Sequence, residues 1–414
     1  MVAPDKQPCV KKHITFVFVK FEQFFIMSVT LQIITTALLA FLGTLWIHPK
    51  VLKIAITKNL VDNPDARKLQ RRPIPNMGGI AVFFGILIGA CSSPAIFNSP
   101  NAFMLIAAML VMLYTGTIDD ILGLTPTIRF AIEILVVCWI MHISNASLSC
   151  FWGLWGVWSI PAWIAYPLTV VACVGIINAI NLIDGVNGLS SGVCFMASTL
   201  FAIMFYNLGN YTMMTFAIST AGAIIPFFLH NVLGNNTKMF IGDGGTLVIG
   251  IMMSMFVINI IDEGANSRFF ALKGMGLVAF AMAVLAIPVF DTIRVMSTRI
   301  KHGKSPFSPD KTHLHHMFIE LGFSHFGTTF SIITLNLIIV AAWFISYKLG
   351  ASVDVQLYIV VVLGLATTLG FYKYASMLLK KEGKGLARIQ KLSKRLHVEK
   401  KGGWVTLQNL IDKI

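Results

Sequence analysis

The chain has 414 residues, 56% of them hydrophobic and 12% charged, with a formal net charge of +14. Apolar runs of about twenty residues recur along it, which excludes a soluble enzyme and a disordered chain and predicts an all-α, polytopic membrane protein. The positive charge lies between those runs, so it marks topology and attraction to anionic lipid, not a nucleic-acid footprint.

In chain order, an N-terminal extension of uncertain status (1–27) precedes a membrane domain (28–379). Spans are predicted at 28–47, 77–97, 102–118, 127–143, 161–181, 189–207, 211–231, 244–261, 274–293, 328–349 and 355–374, eleven in all. Segments 48–76, 119–129, 182–188, 232–243, 291–327 and the tail from Lys373 hold 25 of the 32 Lys and Arg residues, whereas the opposite loops hold Arg268, Lys273 and Lys348. By the positive-inside rule the rich side is cytoplasmic. An odd number of spans then puts the start outside, against Lys6, Lys11, Lys12 and Lys20. Either translation begins at Met27, or Ile14–Ile26 forms an interfacial helix; no small-residue pattern marks a cleavable signal peptide. The six cysteines are scattered, without metal spacing or a disulfide framework. In the tail, 380–414, Leu386, Ile389, Leu392 and Leu396 recur at helical spacing among five basic residues, which predicts a basic amphipathic helix on the inner leaflet.

The polar motifs sit at span ends. The first basic loop, from Pro64, clusters Arg67, Lys68, Arg71 and Arg72 before PIPNMGG. Positive-inside anchoring explains these residues, and so does binding a nucleotide or lipid phosphate. Asp119 and Asp120 close a span in TIDDILGLTP; neighbours on a helix diverge by about 100°, so both reach one metal only if the helix end unwinds. In NAINLIDGVNGLSSG, Asn178 and Asn181 share a helical face and Asp184 opens a Gly-punctuated turn. A helix-packing seam would also use such amides, but not the acid and the glycines. MFIGDGGTLVIG puts Asp243 in a Gly-rich turn opening a helix, where backbone N–H groups can face an anion; an ordinary N-cap is the alternative. Asp291 and Arg294 are three apart, spaced for either an intrahelical ion pair or substrate contact. SPFSPDKTHLHH carries His313, His315 and His316 without a cysteine, which argues against zinc and for phosphate or nucleotide contacts, with solvated loop histidines as the alternative.

Counting spans places Asp119, Asp120, Asp184, Asp243 and Asp291 on one side of the membrane. Carboxylates near lipid are costly, and several at one depth repel one another. A divalent cation bound to a phosphorylated substrate neutralises such a cluster.

Taken together, the motifs RK…PIPNMGG, Asp119–Asp120, NAINLIDG, FIGDGG, IPVFD and SPFSPDKTHLHH, in order over residues 61–324, resemble the polyprenyl-phosphate N-acetylhexosamine-1-phosphate transferase family of bacterial membranes. The N-acetylglucosamine branch is the nearest. The resemblance implies transfer of N-acetylglucosamine 1-phosphate from UDP-N-acetylglucosamine to undecaprenyl phosphate, with release of UMP, as the start of a lipid-linked surface glycan. It implies Mg²⁺, with Mn²⁺ as a substitute, on Asp120, Asp184 and Asp243. Catalytic roles fall on Asp119, Asp120, Asp184 and His313. Substrate contacts fall on Asn178, Asn181, Asn187, Arg67, Lys68, Arg71, Asp291, Arg294, His315 and His316. The expected location is the bacterial inner membrane with the site facing the cytosol; a homodimer is compatible with it. Gln70 stands where relatives often have His, and Asn187 where they often have an acid, which weakens a phosphate contact and a uracil contact respectively. Other UDP-N-acetylhexosamines and UDP-N-acetylmuramoyl-pentapeptide stay open as donors, although the muramoyl branch has a more compact histidine loop. An ion-coupled transporter is the alternative of another class, and it predicts midplane acids and inverted repeats.

Overall fold

The computed structural model describes residues 29–64, 70, 72–261, 265–306, 310–381, 383–400 and 402–413. The readings made on residues 1–27 and on Arg67, Lys68 and Arg71 lie outside the described residues.

Helix α1 (Val29–Thr57) leads through short strands β1 (Val61–Asp62) and β2 (Ile74–Pro75) into α2 (Gly78–Ala90), the turn α3 (Pro94–Phe97), α4 (Pro100–Leu122) and α5 (Pro126–Ser144). A hairpin, β3 (Cys150–Leu154) and β4 (Val157–Ser159), precedes α6 (Ala162–Leu182), α7 (Leu189–Leu208), α8 (Tyr211–Leu233) and α9 (Gly242–Ile261). Then come α10 (Ala265–Leu272), α11 (Leu277–Val284), α12 (Ala286–Lys301), α13 (Leu314–Glu320) and α14 (His325–Lys348). The last long helix, α15 (Val353–Lys381), carries a π-helical stretch at Ala366–Gly370. The tail forms α16 (Lys384–Arg395) and α17 (Gly402–Ile411).

Among the described residues, nine helices are long and apolar enough to cross a bilayer, and the bent pair α11 and α12 makes ten. That pair turns by 75° at Leu285, so the predicted straight span 274–293 is a broken one. The predicted span 77–97 is also interrupted. Its main helix α2 has 13 residues, about 20 Å of rise against a hydrocarbon core of about 30 Å. Leu38, Leu110, Leu135 and Val171 point outward from their helices, as lipid-facing side chains do.

Helix α9 is apolar around its whole circumference and nearly every residue of it is buried, as expected of a central helix. It packs against α2, α4, α6 and α7. Glycine makes the closest of these crossings. A methyl group added at Gly79 would meet the Gly245 backbone, and one at Gly116 of α4 would meet the backbone of Asp243 and Gly244. The opening turn of α9 is also pinned from the side of β2: Phe240 N donates to Pro75 O (2.8 Å), Gly78 N to Phe240 O (2.8 Å) and Gly79 N to Ile241 O (2.7 Å).

The opposite end of the bundle is closed by the β3–β4 hairpin. Trp152 Nε1 donates to Ile261 O (3.1 Å), Trp155 N to Asp354 Oδ1 (2.7 Å) and Trp155 Nε1 to the Tyr358 hydroxyl (2.9 Å). The tail helix departs from a purely lipid-facing arrangement: Leu386, Ile389 and Leu396 pack against the bundle, while Leu392 is exposed.

The Gly116 contact yields a test. Backbone atoms cannot swing aside as a side chain can, so Gly116→Ala is expected to destabilise the protein by about 1–3 kcal/mol and to displace the turn carrying Asp243. Thermal unfolding of the detergent-solubilised variant measures this. An unchanged midpoint together with unchanged turnover would show that this crossing does not position the turn.

Candidate active site

Four span ends converge on one cavity of about 350 Å³, lined by Asp62, Asp120, Asp184 and Asp243 with Asn76, Asn181, Asn187, Gln70 and His316 among others. Among the described residues, no Lys or Arg lines it. A second cavity of about 680 Å³ shares Gln70, Gly185, Asn187 and Phe240 with the first. Its wall carries Arg72 and Lys238, with the His325 ring beside them, so an acidic chamber opens beside a basic one.

Asp120 is the centre of the hydrogen bonding. Its carboxylate accepts from Asn76 Nδ2 (2.7 Å), Asp243 N (3.0 Å) and Gly244 N (3.2 Å). It therefore caps α9 from another helix, and two of the amides expected to face a substrate anion bind this protein carboxylate instead. Asp243 accepts from Asn181 Nδ2 (2.5 Å), which also bonds Thr246 Oγ (2.8 Å).

Asp119 does not share this position. Helix α4 continues through Leu122 and ends at Gly123, whose φ of 70° suits glycine. With the helix intact the two carboxylates diverge: Asp119 accepts from Leu124 N (2.7 Å) and Arg129 Nη1 (3.2 Å) and does not line the cavity. Arg129 is 3.9 Å from Asp243 and 3.6 Å from Glu133, and so links acids from three helices. Asn178 belongs to this inner network. Its amide donates to Glu133 Oε2 (2.5 Å) and Val174 O (2.9 Å), and the residue is buried away from the cavity.

Asp184 accepts from the Ser190 hydroxyl. Burial raises its pKa to about 6, with Ser190 opposing and Asp243 reinforcing the shift. The Gly188 amide that follows donates to Asn231 Oδ1 (2.6 Å), whose Nδ2 donates to Met239 O (2.8 Å), tying the turn after α6 to the approach of α9.

The histidines separate. His313 is the N-cap of α13 and its Nδ1 lies 3.0 Å from Asp291 Oδ2, outside the cavity. His315 is buried against Gly185, and only His316 lines the cavity. Burial lowers the pKa of both, that of His316 to about 4, with neighbouring histidines adding to the effect. Both rings are thus neutral near pH 7 and can act there as hydrogen-bonding groups, not as fixed cations. Asp291 and Arg294 form the ion pair that their spacing allows (2.6 Å), both buried, and neither lines the cavity. Arg294 also donates to Thr312 O (2.6 Å), and Asp291 accepts from Leu314 N (3.1 Å), so the pair seats the histidine loop.

Asp120, Asp184 and Asp243 share a cavity but do not form a cage: among the described residues no three His, Cys, Asp or Glu side chains converge to hold a metal ion. This leaves oxygen donors of the kind Mg²⁺ takes, one or two carboxylates completed by water and substrate phosphates.

Arg129, Glu133, Asn76, Asn231 and Ser190 were not singled out from the sequence. A signal existed for the first two: an Arg and a Glu four apart in an otherwise apolar helix are a charge pair at membrane depth.

Within this bundle, with its polar cavity at one end of the spans, residues 102–261 match the model of glycosyl transferase family 4. Among individual proteins, the chain is similar to the undecaprenyl-phosphate alpha-N-acetylglucosaminyl 1-phosphate transferase of Yersinia pestis, 29% identical over 288 residues, 68% of this chain and 75% of that protein. It is similar to the Escherichia coli (strain K12) protein of the same name, 29% over 295 residues, 70% and 77% of the two chains. The probable undecaprenyl-phosphate N-acetylglucosaminyl 1-phosphate transferase of Bacillus subtilis (strain 168) is 28% identical over 297 residues, 71% and 79%. The resemblance carried by the motifs is thereby borne out.

Two sets of variants follow. Asp120→Asn and Asp243→Asn are expected to lower turnover by about two orders of magnitude or more while the protein stays folded, because a neutral amide holds a substrate-bound divalent cation far less well than a carboxylate. Asp291→Asn instead leaves Arg294 buried without its carboxylate and is expected to cost on the order of 3 kcal/mol of stability. Turnover and thermal unfolding measured side by side separate the two. Near-wild-type turnover in both Asp120→Asn and Asp243→Asn would remove those residues from the reaction.

Proposed function

We propose that the protein transfers N-acetylglucosamine 1-phosphate from UDP-N-acetylglucosamine to undecaprenyl phosphate and releases UMP. The observation that carries this reading is the cavity with four carboxylates and no described Lys or Arg, opening into a basic cavity at the same end of the bundle. A diphosphate substrate brought with a divalent cation complements the first, and anionic groups of the nucleotide sugar complement the second. The names of the similar proteins agree with the acceptor and with the group transferred. A transporter gains no support from them, and the acids gather at helix ends on one face.

In the reaction, an oxygen of the lipid phosphate attacks the β-phosphorus of the UDP-sugar. The bond from that phosphorus to the bridging oxygen breaks, and UMP leaves with the electron pair. The acceptor is already an anionic nucleophile, so direct attack needs no enzyme-bound relay. Asp120, Asp184 and Asp243, which line one cavity, would supply the oxygen donors for Mg²⁺. When bound, the ion offsets charge on the diphosphate. Asn181 orients Asp243, and Asn76 orients Asp120. Asp119, engaged with Arg129, acts on the charge balance of the site from behind. His316 is placed to donate a hydrogen bond to bound substrate. In this reading the cavity faces the cytosol across a bacterial inner membrane, which the excess of Lys and Arg in the loops at that end supports.

Radiolabelled UDP-N-acetylglucosamine, supplied to purified protein with undecaprenyl phosphate beside UDP-N-acetylmuramoyl-pentapeptide, tests the reaction. Lipid-linked product and UMP are expected, lost on chelation and restored by Mg²⁺. Because one phosphoanhydride replaces another, added UMP should regenerate the UDP-sugar. Release of UDP would mean glycosyl transfer, and turnover of the muramoyl donor alone would assign the cell-wall branch.

Sidedness has its own test, in a background with the native cysteines replaced. A cysteine at Lys304 should be shielded from an impermeant thiol reagent in intact cells, and one at Asn266 should label. Labelling at Lys304 from outside would place the cavity on the other face.

A further inference from the structure

The C-terminal tail reaches back to the cavities at two points. Asp412, just beyond α17, accepts hydrogen bonds from Asn235 N (3.0 Å), Asn236 N (3.2 Å), Thr237 N (3.3 Å) and Thr237 Oγ (2.9 Å). Three successive amides and a hydroxyl closing on one carboxylate form an anion nest, filled here by the chain itself. Burial opposes ionisation of Asp412, but these donors outweigh it and hold its pKa below the usual carboxylate range. The other point is the start of α14: Glu399 Oε1 accepts from Phe326 N (3.1 Å), and Trp404 packs edge-on against Phe326.

Both points adjoin the basic cavity. Asn235, Asn236 and Lys238 line it from the loop that Asp412 holds, and His325 lines it from the end that Glu399 holds. Each loop also leads inward. Thr237 is fixed from below by His48 Nε2 on its carbonyl (2.9 Å) and His230 Nδ1 on its hydroxyl (3.0 Å), six residues before Asp243. His325 Nδ1 accepts from Asn187 N (3.3 Å), a residue lining both cavities.

We propose that tail residues 397–400 and 402–413 form a strap that sets the shape of the basic cavity, and that Asp412 is a positioning residue for the nucleotide-sugar substrate. This rests on the reaction proposed above. Asp412 touches no reacting atom; it fixes the 235–238 rim in the geometry that receives the donor, while the carboxylates about the acidic cavity are held by other contacts. Its loss should therefore weaken donor binding and leave the chemical step intact.

The test uses the full chain in lipid nanodiscs, with Asp412→Ala, Asp412→Asn and Asp412→Glu. At saturating undecaprenyl phosphate, Asp412→Ala and Asp412→Asn are expected to raise the KM for UDP-N-acetylglucosamine roughly tenfold with kcat within about twofold of wild type. The KM for undecaprenyl phosphate and the unfolding temperature should not change, and Asp412→Glu should recover most of the donor affinity. If Asp412→Ala does not accumulate, the isosteric Asp412→Asn carries the comparison. A wild-type donor KM in Asp412→Asn would overturn the proposal. So would parallel loss of both KM values and of the unfolding temperature, which is the mark of a merely structural contact. A second readout is independent of turnover: in a cysteine-free background, a cysteine at Asn236 should react faster with a thiol reagent when Asp412 is Asn. Equal rates would overturn the strap. Absence of turnover in the wild type with any UDP-sugar would overturn the reaction and leave this labelling result standing.

Discussion

The arrangement depends on one carboxylate placed where a helix begins. Asp120 comes from the end of α4, yet it accepts the first free amides of α9 and the amide of Asn76 from the β2 turn. The last turn of α4 would ordinarily disfavour an anion, and the first turn of α9 favours it. The crossing at Gly116 is what lets the favourable partner come within reach. Three segments far apart in sequence are thus locked at one depth. Asp243, carried on the same turn as the amides, has no freedom to leave the cavity that Asp120 lines.

That lock explains why the acids divide into two layers. Asp120, Asp184 and Asp243 line the cavity, whereas Asp119, Glu133 and Asn178 surround Arg129 behind it. A single guanidinium near three carboxylates lowers the cost of gathering them without entering the chamber. Among the described residues the chamber keeps a negative lining without Lys or Arg.

Much of this was legible in the sequence because composition and motif position report different things. Apolar run length gave the helical bundle, and loop charge separated its two ends. The turns at Asp184 and Asp243 stood out because Asn, Asp and Gly together have little use in packing. What periodicity could not reveal was direction. Asn178 and Asn181 share a helical face, yet one turns to Glu133 and the other to Asp243, a choice made by the neighbouring helices α5 and α9. The three histidines look like one unit in the chain, but the Asp291–Arg294 pair seats His313 and leaves only His316 facing the cavity. The bend at Leu285 was likewise hidden, because a broken apolar helix has the same composition as a straight one.

The tail shows the same limit from the other side. Its spacing predicted a helix, and Lys384–Arg395 is helical, but an amphipathic face does not name what covers it. Here Leu386, Ile389 and Leu396 rest on the protein, and the segment beyond them ends in a carboxylate that fills a backbone nest beside a cavity. A loop that faces water at the end of a bundle lacks the lateral support that neighbouring helices give one another. Loop 235–238 is ordered instead by hydrogen bonds, held between two buried histidines below and an aspartate above.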